Sequence, residues 1–324
     1  MYCIITVDTY QTKCYPITYR TLCWLLLQLN CLILEKNMLK LDVAHKDFIK
    51  YLKDSGKSSS TVIAYSKDIE QLTEHLFKQG VNEVGEIRTE HLALFMDKLT
   101  KENFTPKSVS RKTNSTKTFF RYLKTKNYIA ENAADGLKHP KVEIKAPRIL
   151  SRLEYGALRD AAKDDSRTFA IIEVLLQTGV TISELAQIKI SDIEFNEPST
   201  LTVPKINTRL GRPIPLNKAA VVAIKSYQKD RPDMKTDFLF ITKTGRSLLI
   251  RNIRATIDRY FKSAGIIKAK VNDLRHTFVS HHLSQGANLL TVSKIAGHKR
   301  LSTTERYLEY IERSTEEKTE LGIL

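Results

Sequence analysis

The sequence predicts a mainly helical α+β chain of two domains, the second carrying a small antiparallel sheet. Three observations predict it. From Leu39 onward, apolar residues recur at helical spacing through most of the chain. One stretch, "STLTVPKINTRLGRPIPLN", alternates apolar and polar residues on both sides of a turn containing Asn, Thr and Gly, the pattern of a β-hairpin. Between the helical runs, "NAADGLKHPKVEIKAPRIL" (132–150) holds two prolines and a glycine and shows little periodicity, so it reads as a linker. A chain of 324 residues is long enough for about two domains, each burying its own core.

The first domain spans 39–131. "KSSSTVIAYSKDIEQLTEHLFKQG" begins with a Ser/Thr cluster able to cap a helix. It places Val62, Ile63, Ile69, Leu72 and Leu76 at apolar positions and stops at Gly80. "TEHLALFMDKLTKEN" predicts a second helix with Thr89 as its cap, and a third runs through Lys107–Lys126. The linker covers 132–149 and the second domain 150–315, leaving 316–324 as a tail. That domain opens with two helices, "SRLEYGALRDAAK" and "SRTFAIIEVLLQTG". "TISELAQIKISDIEF" follows as a short helix running into a strand, then the hairpin, then helices to the end.

Residues 1–37 stand apart. All four cysteines (Cys3, Cys14, Cys23 and Cys31) and the single tryptophan, Trp24, lie there. The rest of the chain therefore has neither a disulfide framework nor a cysteine zinc site, which fits a reducing cytoplasm. "TLCWLLLQLNCLIL" (21–34) is uncharged but shorter than the roughly twenty residues a membrane span needs. Composition changes sharply at Met38. The segment reads as an upstream extension or a mis-set start; the rival reading is a short membrane-associating segment.

The chain carries 52 Lys+Arg against 36 Asp+Glu, a formal charge of +16, which points to a polyanionic partner, nucleic acid before a membrane surface. The charge is concentrated. Between Lys107 and Lys126 lie seven basic residues and no acidic one. At 100° per residue, Lys107, Arg111, Lys117, Arg121 and Lys124 fall on one side of a helix; Val109, Thr116, Phe119, Phe120 and Leu123 fall on the other. Lys112 and Lys126 break the pattern. A solvent-exposed face usually mixes both signs, so this one suits DNA phosphates.

Three residues near the C-terminus suggest a reaction. Arg275 lies in "NDLRHTFVSHHLSQG"; His298 and Tyr307 open and close "GHKRLSTTERY". An arginine fork clamps phosphate oxygens, a histidine can donate to or exchange a proton with the same group, and a phenolate can attack phosphorus. A free phenol titrates near 10, so it needs cations nearby to react at neutral pH. Taken singly, each residue has an ordinary structural reading: His298 as a helix cap, Tyr307 as packing.

The run "LRHTFVSHHL…GANLLTVSKIAGHKRLSTTERY" resembles the C-terminal signature of the phage-integrase-type tyrosine recombinases, including the Xer-like ones. "SSSTVIAYSKDIEQL" and "SVSRKTNSTKTFFRYL" resemble their SAM-like core-binding domain, and "QTGVTISELAQIKISDI" resembles the start of their catalytic domain. The resemblance covers roughly 40–315 and implies the tyrosine recombinase fold. It also implies DNA cleavage and rejoining through a 3′-phosphotyrosyl link, needing neither metal nor cofactor, by four protomers (or a paired recombinase) on double-stranded DNA. Tyr307 is then the nucleophile, Arg275 the second clamp arginine and His298 the second active-site histidine; Glu184 matches an acidic residue of the first motif.

Three positions depart from the pattern. Thr181 stands where the first clamp arginine belongs, and Asn272 replaces the histidine of "HxLR". The lysine that protonates the leaving oxygen matches Lys205, yet an ungapped count back from "GRPIPL" arrives at Asn207. Arg209 and Arg212 on the hairpin are candidates for DNA contact and for replacing the absent arginine. The alternative to an active recombinase is a DNA-binding protein that keeps the fold and has lost turnover.

Overall fold

The computed structural model describes residues 39–143, 145–206 and 210–311. The N-terminal extension with its cysteines, Asn207, Arg209 and the tail 316–324 lie outside them. The chain divides into two compact units, with the boundary between 144 and 145.

Among its described residues the first unit holds α1 (Leu41–Asp54), α2 (Ser59–Lys78), α3 (Thr89–Lys101) and α4 (Pro106–Thr125). Local chemistry sets their ends. Ser58 caps α2 by accepting from Thr61 N at 3.2 Å. Thr105 caps α4, with Pro106 at its first position, where a missing N–H is harmless. Thr89 is not the cap of α3: the helix begins on it, and the Arg88 amide donates instead to His91 Nδ1. The core gathers Phe48 from α1, Leu72 from α2, Phe95 from α3 and Phe119 from α4. Ala134 and Leu137, in the predicted linker, are buried in the same core.

The α4 helix divides its faces as the wheel predicts. Val109, Thr116, Phe119, Phe120 and Leu123 are buried; Lys107, Arg111, Arg121 and Lys124 are exposed, and Lys117 is half-buried. Lys112 points inward, 3% exposed, with its ammonium on Asp68 Oδ1 at 3.0 Å and on Gln71 Oε1. Arg111 bonds the other Asp68 oxygen, Oδ2, as does Ser115 Oγ at 2.9 Å. The acidic residue missing from α4 is thus supplied by α2, and a buried lysine is paired with a buried carboxylate.

The second unit is built around α6 (Ser166–Thr178), whose Ala170, Ile171, Ile172, Val174 and Leu175 are all buried. A helix apolar on nearly every side belongs in the middle of a core. It packs against α5 (Arg152–Ala162), α8 (Lys218–Asp230), α9 (Ile250–Ser263) and α10 (Val271–Ser284). The short α7 (Ile182–Leu185) leads to an antiparallel sheet of β1 (Ile193–Glu194), β2 (Thr200–Val203) and β3 (Arg212–Pro215), in that order. The predicted hairpin is β2–β3, with Leu201 opposite Ile214 and Val203 opposite Arg212. Helices α11 (Leu289–Ala296), α12 (Ser302–Glu305) and α13 (Leu308–Ile311) complete the described chain. Among the described residues no helix is long and apolar enough to cross a membrane.

Candidate active site

The site begins where α6 ends. Gly179 terminates the helix with φ +62°, and a Cβ there would lie 2.3 Å from the Phe278 ring of α10. Only glycine allows that approach. It brings the Gly179 carbonyl to Arg275, a buried residue of α10 whose guanidinium donates to it. Arg275 is therefore oriented by the turn that leads directly to Thr181.

Tyr307 is 5% exposed and packs with Phe278, Val279, Leu283, Val292 and Ala296. Its hydroxyl oxygen lies 2.5 Å from His276 Nδ1. On the far side of that imidazole, Nε2 meets Asn272 Nδ2 at 2.8 Å. The His298 ring stacks on Tyr307, centroids 6.3 Å apart and planes within 12°. Its Nδ1 is held by the hydroxyl of fully buried Thr304 at 2.7 Å. Burial raises the Tyr307 phenol above its ordinary value of 10, with the charge of Arg275 pulling the other way. Burial also pushes the His276 imidazole below 6.5, opposed by Asp273 and reinforced by Arg275.

A second network supports the first. Thr181 caps α7: its hydroxyl accepts from the Glu184 amide at 3.3 Å, while Glu184 Oε2 accepts from the Thr181 amide at 2.8 Å. Arg212 on β3 donates to Glu184 at 2.8 and 3.4 Å. The same guanidinium also donates to the carbonyls of Ile295 and Ala296, at 2.6 and 3.2 Å. It thus closes the C-terminus of α11 immediately before His298. Burial alone would raise the Glu184 carboxyl, but hydrogen bonds and charge from Arg212, with the Thr181 bonds, hold it at about 2.

Arg212 is therefore a correction to the sequence reading. It faces inward as a bolt between β3, α7 and α11, and is taken up by a carboxylate and two carbonyls, leaving no fork for a DNA phosphate. Gly297 accommodates it, with φ +71° and a would-be Cβ 2.6 Å from the guanidinium carbon. Replacing Gly297 by Ala is expected to destabilise the second unit by about 2 kcal/mol, from the left-handed backbone and the displaced guanidinium. Urea unfolding followed by near-ultraviolet signals checks this.

Arg275, His298, Asn272 and Tyr307 thus come together, and Thr181 sits one turn from the Arg275 anchor. Lys205 is exposed on the turn after β2, and no described residue holds it to this cluster. Two participants escaped the sequence reading. His276 is the hydroxyl partner of Tyr307. Thr304 explains part of the Ser-Thr-Thr run before the tyrosine. The signal for His276 was present: four residues past Asn272, it shares that residue's helix face. Among the described residues, no group of three or more His, Cys, Asp or Glu is placed to hold a metal ion.

A buried tyrosine flanked by two imidazoles beside an anchored arginine, in a helical unit with a three-stranded sheet, is an arrangement able to direct a phenolic oxygen at a phosphate. Comparison with known proteins agrees. Residues 145–312 match the model of the phage integrase family, and residues 46–127 match the phage integrase N-terminal SAM-like domain. A tyrosine recombinase XerC from Listeria innocua is 30% identical over 275 residues, covering 81% of this chain and 91% of its own. Among solved structures, a lambda integrase tetramer bound to a Holliday junction aligns with a TM-score of 0.68 at 18% identity, covering 92% of this chain and 93% of its own. The XerH recombinase bound to palindromic difH substrate aligns at 0.68 with 20% identity, over 78% and 77%. The chain belongs to the phage integrase family, the tyrosine recombinases.

Proposed function

We propose that this chain performs site-specific DNA recombination by cutting and rejoining strands through a 3′-phosphotyrosyl intermediate. One observation carries the reading: the buried Tyr307 hydroxyl is bonded to His276, its ring stacks on His298, and the charge of Arg275 acts on it. In the proposed reaction Arg275 neutralises the scissile phosphate, His298 hydrogen-bonds a non-bridging oxygen, and the Tyr307 oxygen attacks phosphorus. Lys205 is the candidate donor to the departing 5′-oxygen. The work is positional and electrostatic. The relatives matched over most of their length are recombinases, which favours turnover over a binding-only role.

The partner is double-stranded DNA. The basic face of α4, with Lys107, Arg111, Lys117, Arg121 and Lys124, supplies phosphate contacts from the core-binding unit (39–131), and 150–315 supplies the chemistry. Assembly of four protomers is proposed by analogy with the lambda integrase tetramer, and the cytoplasm, where DNA and a cysteine-free body fit, is the proposed place of action.

The test is a nicked suicide duplex, its half-site selected from a random pool by binding to the full chain. The wild-type protein is expected to form a covalent adduct stable to denaturing electrophoresis, and Tyr307→Phe is expected to form none while still binding. An adduct undiminished in Tyr307→Phe would remove the nucleophile assignment.

A further inference from the structure

We infer that His276 is the general base of this active site: it takes the Tyr307 phenolic proton as the oxygen attacks phosphorus and returns it on rejoining. The inference rests on Tyr307 being the nucleophile. Geometry puts Nδ1 of His276 at 2.5 Å from the Tyr307 oxygen, within direct transfer distance. Position 272, three residues before the clamp arginine in the motif, holds an asparagine, whose amide has no basicity at neutral pH.

Asn272 has a part in the step. Its amide lies at 2.8 Å from His276 Nε2. Two orientations of that amide fill the same space. With Nδ2 toward the ring, Nε2 accepts, so Nδ1 carries the hydrogen and can only donate to the tyrosine, holding it at rest. With Oδ1 toward the ring, Nε2–H donates to the amide oxygen and Nδ1 presents its lone pair to the phenol. The second orientation is the reactive one, and its amide oxygen then stabilises the imidazolium. A half-turn of Asn272 converts one state into the other.

The balance is simple. The phenolic hydrogen moves from oxygen to Nδ1. The tyrosine oxygen–phosphorus bond forms as the bond from phosphorus to the 5′-oxygen breaks, and that oxygen takes a proton from a separate donor. On rejoining, an incoming 5′-hydroxyl gives its proton back to that donor as its oxygen attacks phosphorus, the tyrosine oxygen–phosphorus bond breaks, and the departing tyrosine oxygen recovers its proton from His276. Nothing is oxidised or reduced. The charged and titratable groups around the imidazole are Asp273 and Arg275 on its own helix and Tyr307 facing it, with His298 on the far side of the tyrosine ring. Burial favours the neutral imidazole, the form a base requires.

His276→Asn separates base from prop, because its amide reaches roughly where Nδ1 sits and can still bond the hydroxyl without accepting a proton. With the same selected nicked duplex, wild-type adduct formation is expected to be level with pH above the ordinary histidine range. His276→Asn is expected to be slower by about 10²–10³-fold at pH 7 and to rise tenfold per pH unit as hydroxide replaces the base. Its DNA affinity should match wild type, which establishes that it folds. A duplex with a 5′-bridging sulfur, which departs without a proton, should leave the defect in place.

Several results would overturn the inference while leaving the recombinase reading intact. One is a His276→Asn rate within threefold of wild type. A second is a slow rate whose pH profile parallels wild type, which would make His276 only a positioning residue. A third is recovery on the sulfur substrate, which would assign His276 to the leaving group. Absence of any adduct from wild-type protein would overturn both readings together.

Discussion

Thr181→Arg is expected to accelerate adduct formation by about 10²–10³-fold, the scale on which one preorganised donor to a transition state acts. The position lies two residues past Gly179, whose carbonyl anchors Arg275, so an arginine here would start beside that guanidinium. The wild-type threonine offers nothing comparable: its hydroxyl and amide both bond Glu184. Arg212, the described hairpin arginine, is engaged with Glu184 and the end of α11. The substitution removes an N-cap, costing about 1 kcal/mol, so a small fall in melting temperature should accompany the gain in rate. Single-turnover kinetics on the suicide duplex measure it. An unchanged rate would mean that another cation already serves the phosphate, and Lys205→Ala in the Thr181→Arg background would then identify it.

Glu184→Ala is expected to be the most damaging substitution to stability, by about 3–5 kcal/mol, because it leaves the guanidinium of Arg212 buried without its counter-charge. The wild-type carboxyl, ordinarily near 4.5, is held at about 2 when folded. A group depressed in this way contributes its full stability above pH 4.5 and loses it as pH falls toward 2. Glu184→Gln should therefore flatten the decline of stability over that window, measured by urea midpoints at stepped pH. A steep acid decline that persists unchanged in Glu184→Gln would assign it to other carboxylates.

Much of this molecule is written locally. The wheel of α4, the caps at Ser58 and Thr105, and the β2–β3 hairpin each depend on residues within one or two turns of one another, and each appears where the pattern placed it. What pattern reading missed depends on distant partners. Lys112 looked like an interruption because Asp68, forty-four residues earlier, cannot be paired with it by periodicity. Arg212 looked like a phosphate ligand because nothing in the hairpin shows that the end of α11 will cover it. His276 was passed over because Tyr307 reaches it only after α11 and α12 fold back on α10. The cluster of Arg275, His298 and Tyr307 was legible through family resemblance, while the contacts that orient it were not.

The shared carboxylate under α4 has a consequence for how this surface responds to ionic strength. Each lysine or arginine that fully neutralises a DNA phosphate releases condensed counterions and contributes about 0.9 to the slope of log affinity against log salt. Arg121 and Lys124 stand on the exposed face free of the Asp68 pair, whereas Arg111 reaches DNA already partly balanced by that buried acid. Removing Arg121 should shallow the slope by nearly a full step and removing Arg111 by a fraction of one. One α2 aspartate thus sets how many ions the complex expels.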